Sequence, residues 1–340
     1  MKEYLLQLSE RKSLSEPEMK KAVGRMLNEE AEESEIAAFL MALKMKGETP
    51  AEVAGMANAM RENSVSFGKV NGAIDNCGTG GDGAQTFNIS STSAFVLAGA
   101  GVKVAKHGNR SVSSKTGSAD VLEFLGINLN LSAAESLSLL EDIGITFLYA
   151  PNVHPKLKRI MTVRKQLKIP TAFNLIGPLA NPVDLDYQLV GVYRSDFVPL
   201  FAETLKRLGR KRAVVINGAG SLDEASLAGE NQLAIVEAGE VTYVSITPEE
   251  VGLKRFENSS IKGGEAKQNA DILNRVLKGE EGVFKDTVLF NAGIGLFTAR
   301  AAGSIEEGVK LARKVIDSGA AYEKLEGLRK YSNQFRREAI

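Results

Sequence analysis

Gly78-Thr79-Gly80-Gly81-Asp82-Gly83 opens the stretch on which the reading of this chain turns. Four of these six residues are glycine, so backbone amides can turn outward and approach a ligand at distances that a Cβ forbids. Thr86 to Ser91 follow, then Lys106-His107-Gly108-Asn109-Arg110 and Gly117-Ser118-Ala119-Asp120. The apolar run Phe95-Val96-Leu97, after Ser90-Ser91-Thr92-Ser93, predicts a helix whose N-terminus abuts the glycine turn with unpaired amides and a positive dipole end. Val102 to Ala105 predicts a short strand delivering Lys106 and Arg110 to the same place. Amides, hydroxyls and cations would then converge as an anion cradle. A glycine loop alone reads equally well as an ordinary strand-to-helix turn, and the spacing matches neither the dinucleotide fingerprint nor the P-loop.

With 340 residues the chain exceeds the size at which one core usually stops growing, so two lobes are expected, and 44% apolar residues can fill them. Acidic and basic residues balance at 42 each. Bulk attraction to nucleic acid or to an anionic membrane is therefore not expected, and any anion affinity must be local. The single cysteine, Cys77, rules out an internal disulfide framework and fits a reducing compartment. Beside the loop it reads as a small buried residue at a strand end, because no base accompanies it. Met1-Lys2-Glu3-Tyr4 lacks a secretory pattern, and no segment approaches the roughly 20 apolar residues of a membrane helix. The expectation is a soluble cytoplasmic protein.

Residues 1–68 read as a small all-helical domain. Ser15 with Glu18 and Thr49 with Glu52 have capping-box spacing, and Pro50 sits at a first helical position. From residue 69 to residue 340, β-rich runs alternate with helical patterns, which predicts an α/β domain with a mainly parallel central sheet flanked by helices. Candidate strands are Gly72 to Asn76, Val102 to Ala105, Ile145 to Tyr149, Leu189 to Tyr193, Ala213 to Ile216, Leu233 to Val236 and Val288 to Asn291. Ligands of such sheets bind at the carboxyl ends of the strands.

The full string of motifs resembles that of the anthranilate phosphoribosyltransferases. Gly78-Thr79-Gly80-Gly81-Asp82, Thr86-x-Asn88-x-Ser90, Lys106 to Arg110, Ser113-Ser114 and Gly117 to Asp120 carry the likeness. It continues through Arg164 and Asn174 to Pro182 as far as Asp223-Glu224, and so covers essentially the whole chain. The resemblance implies the fold these transferases share with class II nucleoside phosphorylases, with residues 164–188 joining the helical domain and the active site in the cleft between lobes. It implies transfer of phosphoribose from 5-phosphoribosyl 1-diphosphate to anthranilate in tryptophan biosynthesis. A homodimer through the N-terminal helices is also implied.

That reaction needs two phosphates held, a departing diphosphate neutralised and an aromatic carboxylate bound. For the phosphates, the amides from Gly78 through Gly81 and Asp82 to Gly83, the hydroxyls of Thr86, Ser90 and Ser91, the amide of Asn88 and the charge of Lys106 are candidates. The resemblance adds Asn109, Ser113, Ser114 and Ser118, although Ser118 also reads as a helix cap. Asp223-Glu224 can share a hard cation if they lie on a loop, and equally can be a solvated surface pair. The resemblance favours Mg2+, two ions, with Ser90 as a further ligand.

For the acceptor, Arg164 can bind a carboxylate bidentately, or can be one more surface charge on a Lys/Arg-rich helix. The resemblance implies Gly78, His107, Asn109, His154, Gly177 and Pro178 as the remaining acceptor contacts. Lys106, Asp223 and Glu224 are then the catalytic candidates, and His107 is the one side chain nominated as a base. One departure stands out: the family commonly has Leu-Gly-x-Arg-Thr where this chain has Leu167-Lys168-Ile169-Pro170-Thr171. Two other readings remain, a pyrimidine nucleoside phosphorylase and a non-catalytic relative that binds nucleic acid. The first uses a different glycine signature and no acid pair. The second expects a basic surface.

Overall fold

The computed structural model describes residues 1–110 and 116–335, so the expected contacts Ser113 and Ser114 lie outside the described residues. Four helices begin the chain: α1 (Lys2–Ser9), α2 (Glu16–Leu27), α3 (Glu33–Lys46) and α4 (Pro50–Glu62). Two of their starts follow directly from side-chain chemistry. Ser15 Oγ accepts from the Glu18 amide at 3.4 Å while Glu18 Oε2 accepts from the Ser15 amide at 2.8 Å, and Thr49 and Glu52 repeat the exchange at 3.3 and 2.8 Å. Glu52 is fully buried, and its carboxylate also takes Lys46 Nζ at 2.8 Å and the Leu14 amide at 3.0 Å. A buried charge is tolerable only with partners of this kind.

The alternating part contains β1 (Ala73–Gly78), α5 (Ile89–Gly99), β2 (Lys103–Gly108), α6 (Ser118–Phe124), α7 (Ala133–Asp142), β3 (Ile145–Tyr149) and α8 (Ala150–Val153). After α9 (Lys158–Leu167) and α10 (Phe173–Ile176) it resumes with β4 (Tyr187–Gly191), α11 (Phe197–Arg207), β5 (Arg212–Asn217), β6 (Asn231–Glu237) and β7 (Glu240–Ile246). Four helices close the chain: α12 (Ala266–Leu277), α13 (Val283–Thr298), α14 (Ile305–Asp317) and α15 (Ala320–Ser332). The seven strands form one sheet in the order β3-β2-β1-β4-β5-β6-β7, parallel from β3 to β5 and antiparallel at the β6 and β7 edge. No helix among the described residues is long and apolar enough to cross a membrane.

Strand alternation divides the core. Ile74, Val104, Leu189, Val214, Ile216 and Leu233 point to one face, where α5, α6 and α12 to α15 pack. On the other face Val190, Ala213, Val215, Ala234 and Val236 join α11, and their cluster runs on without a break into α2, α3 and α4. Ile160 and Val163 of α9 and Phe173, Leu175 and Ile176 of α10 belong to that same cluster. The helical segment near residues 158–180 is thus packed with the N-terminal helices, a non-local pairing that periodicity along the chain does not reveal.

Three local expectations are corrected. Val288 to Asn291 is not a strand but lies inside α13, because the apolar run continues to Thr298 and is buried all round. A run this short cannot distinguish a strand from a buried helix, and length decides. The seventh strand is instead β7, reached through a tight turn at Ala238 and Gly239, both with positive φ. Its side chains are mostly exposed, so it lacks the in-out alternation that would have marked it. Finally, β2 runs on to Gly108, which puts Lys106 and His107 on the strand itself, and β1 runs on to Gly78 at the head of the glycine loop.

Candidate active site

The acid pair is seated directly on the strand ends. A Cβ added at Gly78, the last residue of β1, would lie 2.3 Å from Asp223 Oδ2. At Gly191, the last residue of β4, it would lie 1.6 Å from the Asp223 carbonyl oxygen, and at Gly218, just past β5, it would lie 2.1 Å from the Glu224 carbonyl oxygen. Only glycine permits such approaches. The segment is pinned on both sides. Gly218 and Leu222 exchange backbone hydrogen bonds before it, and after it Asn291 of α13 accepts from the Ala225 amide at 2.8 Å and donates to the Ala225 carbonyl at 2.9 Å.

From this seat one carboxylate reaches the glycine loop and the other the first turn of α5. Asp223 Oδ2 accepts from the Gly80 amide at 2.6 Å and Glu224 Oε1 from the Ser90 amide, in the first turn of α5, at 3.1 Å. Gly80, Gly81 and Gly83 adopt φ of +67°, +85° and +71°, where side chains are disfavoured. Thr79 ties the loop to β4 through the Gly191 carbonyl at 2.9 Å, Asp82 Oδ1 accepts from the Ala84 amide at 3.0 Å, and Asn88 Oδ1 accepts from Asn269 Nδ2 at 2.9 Å. Lys106 is buried, and its Nζ donates to the Asn76 carbonyl at 2.9 Å while Asn76 Nδ2 donates to the Ser90 carbonyl at 2.9 Å.

The electrostatics of this corner favour a cation. Burial pushes the Asp223 carboxyl well above the usual carboxylate range, and the neighbouring charges of Glu224 and Asp82 add to the shift. Burial also raises Glu224, against the pull of Lys106 and the Ser90 contact. Asp82 Oδ2 and Ser91 Oγ are buried without a hydrogen-bond partner. An all-oxygen set with surplus negative charge suits a hard divalent ion. Among the described residues no three His, Cys, Asp or Glu side chains converge on one metal position, so Asp223 and Glu224 can hold such an ion only with other oxygens, from the Ser90 hydroxyl or from a phosphate.

On the adjoining side His107 and His154 stack edge to face, with ring centres 5.2 Å apart. His107 Nδ1 lies 3.0 Å from the Gly177 carbonyl. A carbonyl only accepts, so Nδ1 carries the proton and Nε2 keeps its lone pair, which has no partner. Burial lowers both imidazoles, His154 to about 3 with the charge of His107 contributing. Arg164 Nη2 donates to Asn174 Oδ1 at 3.1 Å, and the guanidinium lies over the Phe173 ring. Burial lowers it, and no carboxylate pairs with it among the described residues. Asn174 Oδ1 also receives the Thr171 amide at 2.9 Å, which closes the turn past Pro170, itself exposed.

Not every cation converges. Arg110 is used by Tyr149, Asp120 and Glu123, at 3.1, 2.8 and 2.8 Å, and of the two, Lys106 is the cation that faces the acid pair. Gly117 rather than Ser118 caps α6, and the Ser118 hydroxyl donates to the Asn109 carbonyl at 3.3 Å. Sequence reasoning did not single out Gly191, Asn291 or Tyr193, whose ring flanks Gly81. A glycine closing a β-rich run was the available signal for the first, while nothing local marks the other two.

The sequence profile described as the helical bundle domain of a glycosyl transferase family matches residues 2–64, and that family's a/b domain matches residues 70–322. A protein of Bacillus cereus named anthranilate phosphoribosyltransferase is 56% identical over 335 residues, 98% of each chain. The crystal structure of anthranilate phosphoribosyltransferase from Thermus thermophilus superposes with a TM-score of 0.92 at 40% identity, covering 97% of this chain and 99% of the other. The Saccharomyces cerevisiae enzyme of the same name, in complex with PRPP and Mg, superposes with a TM-score of 0.89 at 26% identity over 98% of both.

The buried imidazoles make stability depend on pH. Between the ordinary value of 6.5 and about 3, the unfolded chain binds a proton at residue 154 that the folded chain refuses. Stability conferred by neutral His154 is therefore present above pH 6.5 and is lost on acidification, at up to about 1.4 kcal/mol per pH unit. Chemical denaturation at pH 6 and pH 4.5 should show His154→Phe losing about 2 kcal/mol less than the parent chain; equal losses would contradict the burial of a neutral ring.

Proposed function

The chain belongs to the anthranilate phosphoribosyltransferases, and on that premise we propose how its residues divide the work of moving a phosphoribosyl group from 5-phosphoribosyl 1-diphosphate to anthranilate. It is a pentosyl-transferring glycosyltransferase of tryptophan biosynthesis. The observation that carries the assignment of roles is the acid pair held on the strand ends with its carboxylates on the Gly80 and Ser90 amides.

The glycine loop from Gly78 through Gly81 and Asp82, with Thr86, Asn88, Ser90, Ser91, Asn109, Ser113, Ser114 and Ser118, binds the sugar phosphate and diphosphate. Outward amides and hydroxyls satisfy many phosphate oxygens. Ser90, Asp223 and Glu224 hold Mg2+, taken as two ions, which when bound supplies positive charge beside the diphosphate. Lys106, buried and tethered by Asn76, adds a fixed cation. As the bond from the anomeric carbon to the diphosphate oxygen breaks, its electron pair leaves with the diphosphate, and preorganised charge lowers the cost of that separation.

Anthranilate lies against Gly78, Asn109, His154, Gly177 and Pro178, with its carboxylate on Arg164, a cation with no acidic partner among the described residues. Its amine lone pair forms the new bond to the anomeric carbon, and the amine then sheds one proton. An aniline nitrogen is nucleophilic before deprotonation, so positioning does most of the work. His107 Nε2, neutral and free of partners, is placed to take the departing proton. The charge lost where the family usually has arginine, at Pro170, lies on an exposed turn and leaves Arg164 and its Asn174 tether in place.

We read residues 1–68 with 164–188 as one lobe and residues 69–340 as the phosphoribosyl-diphosphate lobe. We also infer a cytoplasmic homodimer formed through the N-terminal helices. Leu6 and Met45 expose 55% and 73% of their surface on α1 and α3, and a groove of about 690 Å³ opens between α2 and α4 beside Gly24 and Ala59. Light scattering should give a mass twice 36.5 kDa; a single-chain mass at micromolar concentration would remove the dimer.

Loss of anthranilate fluorescence should require the chain, phosphoribosyl diphosphate and Mg2+ together. Joint replacement Asp223→Asn and Glu224→Gln should lower Mg2+-dependent turnover by about 100-fold or more, the scale on which single electrostatic elements act. Unchanged turnover would remove the metal assignment.

A further inference from the structure

A buried polar relay lies behind the acceptor loop and touches neither proposed substrate. Gln188, on β4, is fully buried, and Arg210, between α11 and β5, exposes none of its side chain. Arg210 Nε donates to Gln188 Oε1 at 2.9 Å, and Gln188 Nε2 donates to the Pro178 carbonyl at 2.5 Å. A guanidinium has donors only, so it holds the amide oxygen of Gln188 toward itself and thereby turns the amide nitrogen toward Pro178. The reversed amide would oppose donor to donor on one side and carbonyl to carbonyl on the other. The buried cation therefore fixes the direction of one hydrogen bond.

That bond lands where direction matters. The preceding carbonyl, Gly177, meets His107 Nδ1 at 3.0 Å, so two successive carbonyls of the loop are held, one from within the pocket and one from behind it. Arg210 also donates to the Leu185 carbonyl at 3.3 Å. Its nearest carboxylate, Asp184, is 4.0 Å away and is itself paired with Arg61 of α4 at 3.0 Å. Burying a guanidinium with so little counter-charge is costly, and an apolar pair of similar volume would fill the same space more cheaply.

We propose that Gln188, oriented by Arg210, is a positioning residue of the transferase: its amide N–H holds the Pro178 carbonyl and so fixes the Gly177–Pro178 wall against which the aromatic acceptor lies. The inference rests on the assignment of Gly177 and Pro178 to the anthranilate pocket.

Gln188→Glu tests it with little change of shape. The substituted carboxylate still accepts from Arg210, and more strongly, but cannot donate to Pro178. The expected result is a folded variant with a somewhat lower melting temperature, because a carboxylate oxygen now faces the Pro178 carbonyl, a KM for anthranilate raised about tenfold, as for one lost buried hydrogen bond, and a KM for phosphoribosyl diphosphate within about twofold. Gln188→Met, which removes donor and acceptor together, should raise the anthranilate KM at least as far. An unchanged anthranilate KM in either folded variant overturns the proposal, as does a rise in both KM values together with a fall in melting temperature, the pattern of a packing defect. Pro178→Ala separates the premise from the inference. If it shifts the anthranilate KM and Gln188→Glu does not, the pocket stands and the relay fails. If neither shifts it, the pocket assignment fails and takes the relay with it.

Discussion

The seat of the acid pair depends on a backbone contact that tolerates no side chain. The carbonyl of Asp223 occupies the position where a Cβ on Gly191 would stand, and the side chain of Asp223 and the carbonyl of Glu224 crowd Gly78 and Gly218 in the same way. Three neighbouring parallel strands, β1, β4 and β5, therefore end in glycine or just before it. An acidic dipeptide can then lie flat across their carboxyl ends rather than project from a loop above them. Strand order brings these three ends side by side, and Asn291 in a buried helix holds the dipeptide down through both backbone groups of Ala225.

The electrostatic consequence follows from that seat. Two carboxylates pressed onto a sheet edge lose water and repel each other and Asp82, so both resist ionisation. One buried lysine and two backbone amides offset part of this, and the remainder is a deficit of positive charge at the place where the glycine loop turns its amides outward. A diphosphate brings more negative charge still, so the corner as a whole favours a hard divalent ion that carboxylates and phosphates share. The other half of the cleft is different in kind. There burial keeps the two imidazoles neutral, and Arg164 has no acidic partner among the described residues. In the proposed division of roles, the phosphate side and the aromatic-carboxylate side are separated by the short distance from Lys106 to His107, consecutive residues of one strand whose side chains alternate across the sheet.

Much of this was legible in the residues. The capping pairs Ser15/Glu18 and Thr49/Glu52 located helix starts, alternation of strand and helix patterns indicated a mostly parallel sheet, and the run from Gly78 to Asp120 pointed to the strand-end corner where the glycine loop and Lys106 meet the acid pair. What escaped reading depends on contacts distant in sequence. Nothing near Ile160 or Phe173 says that α9 and α10 pack on helices at the N-terminus, and nothing near Asn291 says that it anchors Ala225. Val288 to Asn291 reads as a strand because a short buried run of three apolar residues and an asparagine looks alike in either conformation, and β7 was missed because a sheet edge exposed on both faces has no burial rhythm. Arg110 illustrates a different limit: its place in the motif suggested a phosphate contact, whereas Asp120 and Glu123, one and two turns into a helix that begins later, claim its guanidinium.

We propose that the acid pair, seated on three strand-end glycines, is the protein's half of a metal site completed by the diphosphate. Anomalous difference density from crystals soaked with Mn2+ and phosphoribosyl diphosphate tests it most directly. The prediction is at least one peak within about 2.2 Å of carboxylate oxygens of Asp223 or Glu224 and bridging to diphosphate oxygens. Mn2+ bound to the diphosphate alone, with Asp223 and Glu224 still on the Gly80 and Ser90 amides, would contradict it.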